Sequence, residues 1–167
     1  MKLLLKPLAL IAALLLTSSA FAEEAKPAEW LFVHTSPTAE MTSDTTLVMP
    51  VTREIFAFTD RPNRKHAYMT GEQFASIWAN SGSDSFKTDP PNAVLTWVEG
   101  EDVKEAEVVI TGASFDGKSI TYNRKYSAIV PVGTLNSVSL FVDSLCGFDN
   151  QNTLPCPKQY CDQECRI

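Results

Sequence analysis

Asp116-Gly117 stands between two β-rich runs, residues 105–115 and 118–126. An Asp-Gly pair so placed is a strong local signal for a β-hairpin, because glycine reaches the positive φ that a two-residue turn demands. With Asp116-Gly117 as the loop, Ala113 faces Ile120 and Thr111 faces Tyr122. One face of the hairpin then carries Val109, Phe115, Ile120, Tyr122 and Tyr126, and the other carries Ser119, Thr121, Asn123 and Lys125. This is the pattern of an antiparallel sheet that is wet on one side.

The rest of the chain supplies matching pieces. Residues 30–33 (WLFV), 45–51, 53–59, 93–99 and 137–145 read as strands, with residues 34–38 as a loop containing Pro37 and a bend near Pro50. In the last of these, Val138, Leu140 and Val142 alternate against Ser137, Ser139 and Phe141. One helix is expected near residues 71–80. Thr70 and Gln73 have capping-box spacing, Met69 and Phe74 have hydrophobic-staple spacing, and Asn80-Ser81-Gly82 is a stop. Phe74, Ile77 and Trp78 share one face, and core packing is the expected role of Phe74 and Trp78. About seven strands and one short inserted helix predict an all-β sandwich, immunoglobulin-like in general architecture.

The two ends differ from the middle. Lys2 and Lys6, the apolar run at residues 8–16 and Ala20-Phe21-Ala22 together read as a secretory signal peptide over residues 1–22. Export to the periplasm or the extracellular space follows, with no membrane anchor left after cleavage. Residues 23–29 read as a flexible N-terminal segment, residues 30–145 as the sandwich domain and residues 146–167 as a cysteine-rich tail. That tail holds all four cysteines: Cys146, Cys156, Cys161 and Cys165. An even count in an exported chain predicts two disulfides, with all three connectivities open. A zinc knot would show paired C-x₂-C spacing, which is absent, so no metal or other cofactor is expected.

Net charge is −6, and residues 1–22 contribute two lysines and no acid. An acidic chain with one short basic patch argues against nucleic acid as a partner. That patch is Arg61, Arg64, Lys65 and His66, following Asp60. Guanidinium groups beside a helix start can hold an anion, which makes residues 60–66 the candidate ligand site. The competing reading is a turn built on Asp60, with an arginine paired to a local carboxylate. Catalysis finds little support: His34 and His66 are the two histidines, and no nucleophile or metalloprotease motif accompanies them.

Thr59-Asp60-Arg61-Pro62-x-Arg64, Met69-Thr70, Phe74, Trp78, Asp84-Ser85-Phe86 and Asp89-Pro90-Pro91-Asn92-Ala93 form a specific string. The string resembles a group of small secreted bacterial proteins sharing DRP-x-R, F-x-x-x-W and SF-x-x-DPPNA. The resemblance spans roughly residues 55–126 and leaves the cysteine tail outside. It implies a common fold and carries no activity. The expected function is thus an exported, non-enzymatic protein that binds a protein partner or small anionic ligand through Asp60, Arg61, Arg64, Lys65 and His66. A small hydrolase using His66 with Asp60, and an inhibitor or immunity-type protein, are the alternatives.

Overall fold

The computed structural model describes residues 29–79, 85–125 and 129–146. The expectations for residues 1–28 and 147–167, including Cys156, Cys161 and Cys165, lie outside them. Cys146 is described in its backbone alone. Eight strands and one helix follow in order: β1 (Glu29–Ser43), β2 (Thr46–Pro50), β3 (Ile55–Thr59), β4 (His66–Met69), α1 (Gly71–Ser76), β5 (Asn92–Glu99), β6 (Asp102–Phe115), β7 (Ser119–Arg124) and β8 (Gly133–Cys146). A 3₁₀ turn, Ile77–Ala79, continues α1.

The all-β class with one short helix holds, but the two-sheet sandwich gives way to a single sheet. Its order is β2-β7-β6-β5-β8-β1-β3-β4, every pairing is antiparallel, and β2 pairs with β1 as well. The extra pairing brings the sheet back onto itself. Six strands therefore close a barrel, and β3–β4 stands off it as a two-stranded flange. Closure satisfies strand edges that an open sheet would leave bare.

The length of β1 makes this possible. Residues 30–33 pair with β3 and residues 40–43 with β2 along one edge, while β8 pairs along the other. Residues 34–38, expected as a loop, are strand, and Glu29, expected in a flexible segment, opens it. Pro37 is accommodated because Ser36 and Thr38 on either side keep their β8 partners, Val138 and Asn136. Between those partners Ser137 adopts φ +48. Burial slips there too: Ser36 and Ala39 point in, while Pro37 and Thr38 are exposed.

The 105–124 hairpin forms with its turn one position later than expected. Phe115 pairs with Ile120 and Ala113 with Tyr122, so Gly117-Lys118 is the two-residue loop. Gly117 takes φ +95 as its first residue. Asp116 Oδ1 accepts hydrogen bonds from the Lys118 and Ser119 N–H groups (2.8 and 2.7 Å), which holds the turn. A slip of two keeps each side chain on its face, and Ile120 and Tyr122 are buried as expected. Val109 is the exception. A register shift between Ile110 and Gly112 reverses the alternation, so Ile110 is the buried residue.

Thr70 caps α1 as expected. Its hydroxyl accepts from the Gln73 N–H (3.2 Å), and Gln73 Oε1 accepts from the Thr70 N–H (2.9 Å). Six residues cannot hold a helix alone, so packing decides. Phe74 and Trp78 close over the barrel interior against Phe32, Phe86 and Tyr122. A β-carbon added at Gly71 would lie 2.9 Å from the Phe115 ring, so the helix start sits hard against β6. Thr70→Ala is expected to lower stability by about 1 kcal/mol, read as a shifted midpoint in urea denaturation with an unchanged slope.

Candidate functional site

The residues expected to form the site lie at the tip of the flange. Asp60 shapes that tip: its Oδ1 accepts from the Arg61 N–H, and its carbonyl accepts from the Arg64 N–H (3.1 Å). The Arg61-Pro62 peptide is cis, and Arg64 takes φ +48. The Thr59 N–H donates to the Lys65 carbonyl (2.9 Å), and Thr59 Oγ1 accepts from the Lys65 N–H (2.8 Å). The turn half of the competing reading is therefore present. Its ion pair is not: among the described residues no salt bridge involves Arg61, Arg64 or Lys65.

Two expectations about this tip change. The cations do not lie beside the helix start, because β4 intervenes and its four residues span about 13 Å. The free N–H groups of α1 therefore cannot join the guanidinium groups around one anion. His66 does not meet Asp60 in a hydrogen bond among the described residues. It stands opposite Phe58 as the first residue of β4.

The sequence reading missed what the flange carries on its outer face. Ile55, Ala57 and Thr59 of β3 point inward and are buried, which sends Phe56 and Phe58 outward. Phe56 stacks on Phe58 (centroids 5.7 Å apart) and packs against Tyr68 (5.3 Å) and His66 (6.4 Å). The register continues the row onto the barrel: Tyr68 faces Phe56, Phe56 faces Val33, and Val33 faces Phe141. Tyr68 is 61% exposed and Phe141 41%. Among the described residues, no strand or helix covers this face. The row is thus apolar along its length, and the cationic tip lies at its flange end.

The second histidine is interior. His34 Nε2–H donates to the Pro50 carbonyl (3.2 Å), which leaves Nδ1 to accept from the Tyr122 hydroxyl (2.8 Å). Burial lowers the pKa of His34 to about 4, and burial raises that of Tyr122 well above its ordinary value. The imidazole is neutral and closed to solvent, so it serves as an internal tie. Among the described residues no cluster of three or more His, Cys, Asp or Glu is placed to hold a metal ion. Comparison with family models, with curated proteins and with solved structures finds no match.

Proposed function

We propose that the chain is an exported, non-enzymatic binding protein whose β3–β4 flange holds an acidic, extended segment of a protein partner. The carrying observation is the row Phe56, Phe58, His66 and Tyr68, ending in three cations without a salt bridge among the described residues. Aromatic and arginine side chains dominate the energetics of protein contacts, because rings bring area with few rotatable bonds and guanidinium groups bring directed donors. A small anion fits less well, since it needs convergent donors in a concave, dry site, and the tip residues Arg61 and Lys65 are exposed. Single-stranded nucleic acid also stacks on aromatics, but a chain of net charge −6 repels a polyanion at long range. An inhibitory or immunity-type role is one form that such partner binding takes.

The test uses extended peptides of graded acidity, with affinity measured by fluorescence anisotropy. Acidic peptides are expected to bind best, and binding should weaken with salt. Arg61→Ala/Arg64→Ala should weaken it at least tenfold, and Tyr68→Ser about as much. Unfolding midpoints show whether each variant retains the fold. Equal binding of neutral and acidic peptides, or full binding by both folded variants, would overturn the assignment.

A further inference from the structure

Away from the flange, a second cation is placed where cations are rarely left alone. Arg124 ends β7 on the same inward face as Ile120 and Tyr122, and is 2% exposed. Its backbone N–H donates to the Thr45 carbonyl (2.9 Å), and its Nη1 donates to the Lys125 carbonyl (3.3 Å). Only the second of these bonds is made by the guanidinium, which it holds by one corner. The opposite edge, Nε and Nη2, is closed to solvent and has no hydrogen-bond partner among the described residues.

That edge is the side-on fork of arginine, whose two parallel N–H groups match two oxygens of a carboxylate or phosphate. An unpaired ion away from water is strongly unfavourable. The nearest compensation is Asp44, an exposed residue of the β1–β2 turn. Its charge favours the guanidinium, though burial outweighs it and lowers the Arg124 pKa. Asp44 makes no salt bridge to Arg124 among the described residues. A single water could accept from the fork but would leave the charge unbalanced. We infer that Arg124 is the base of a binding site, at the β1–β2 end of the barrel, for a small oxyanion presenting two oxygens side by side. The site is separate from the flange and does not depend on the function proposed for it. Because the fork is closed to bulk solvent, the anion is acquired as the barrel closes. Melting is therefore the suitable readout.

The experiment compares melting temperatures of the full chain at constant ionic strength, with acetate and inorganic phosphate as separate probes. The wild type should gain several degrees in a saturable way with at least one of them. A response to acetate alone assigns a carboxylate, and a response to phosphate alone a phosphate. Arg124→Met should abolish the response, and without either probe it should melt no lower than the wild type. Arg124→Lys keeps the charge but loses the fork, so it should respond only at much higher concentration. Asp44→Asn should shift the titration of the wild-type site to lower concentration. If Arg124→Met fails to fold, the Arg124 ¹⁵Nε–¹H resonance of the wild type decides, because bidentate binding must move it. No saturable response, an equal response in Arg124→Met, or an Nε resonance unmoved by both probes would overturn the proposal and leave the fork to water.

Discussion

Trp78→Ala should destabilise the chain by about 3–5 kcal/mol, the largest loss expected from any single change described here. Three contributions combine at this position. The indole is 4% exposed and packs edge to face on Phe74 with centroids 5.3 Å apart. It also lies 4.8 Å from Phe86 and 6.3 Å from Tyr122 by the same measure, so truncation opens a void that three aromatic rings line. Its Nε1–H donates to the Ile110 carbonyl (3.1 Å), which marks where β6 changes register. Removing the donor leaves a buried acceptor unpaired as well. Since α1 has no independent stability, its anchor and its helical state should be lost together. Chemical denaturation gives the energy, and hydrogen exchange of the residue 71–79 amides shows whether the helix opens before the barrel. A loss below about 1 kcal/mol would mean that the helix is not docked as described.

Acidification should weaken the fold through His34. Unfolded, this histidine titrates near 6.5, and folded it titrates near 4. Between those values the unfolded chain binds a proton that the folded chain does not, so stability falls as the pH falls. Across that window the loss should approach about 3 kcal/mol, since each pKa unit corresponds to about 1.4 kcal/mol. The chemistry behind the shift is specific. Protonating Nδ1 would remove the acceptor that the buried Tyr122 hydroxyl uses. Exposed Asp116 also titrates low, held down by the Ser119 and Lys118 N–H groups, but its window lies below the usual carboxylate range. The two effects therefore separate along the pH axis. His34→Gln should flatten the dependence between pH 6.5 and 4 while leaving the more acidic limb in place. An unchanged slope in that variant would place the titrating group elsewhere.

Local signals were legible in the sequence. Thr70 and Gln73 cap the helix from within four residues, and Gly117 turns the hairpin because a positive φ is needed there. Which residue begins the turn was not legible, because Asp116-Gly117 and Gly117-Lys118 are both competent two-residue loops. Closure of the barrel was hidden for a different reason. It depends on β1 sharing one edge between β2 and β3, and nothing within residues 29–43 records which distant strand arrives. The flange was hidden by composition: in Ile55-Phe56-Ala57-Phe58 every residue is apolar, so polarity gives no alternation from which to choose an outward face. β4 is not foreseen as a strand: its first residue, His66, falls in the basic patch, and of the other three only Met69 is assigned, as the hydrophobic staple before the helix. Arg124 was within reach, since it continues the even-numbered series of Ile120 and Tyr122. Its charge is what kept it out of the inward-facing set, since an arginine is rarely fully buried.

The pairing of β1 with β8 also sets the order in which the fold can be made. The partners joined there, from Met41 with Gly133 to Glu29 with Cys146, are about a hundred residues apart, and such distant contacts place a chain among the slow folders. The flange and the β6–β7 hairpin can form early, since each closes a short loop. The barrel cannot, because β8 is the last strand that it incorporates. Until then Trp30 and Phe32 have no wall to face on that side. The vulnerable moment of this protein is thus its assembly, when an apolar first strand must be kept from meeting another chain before it meets its own.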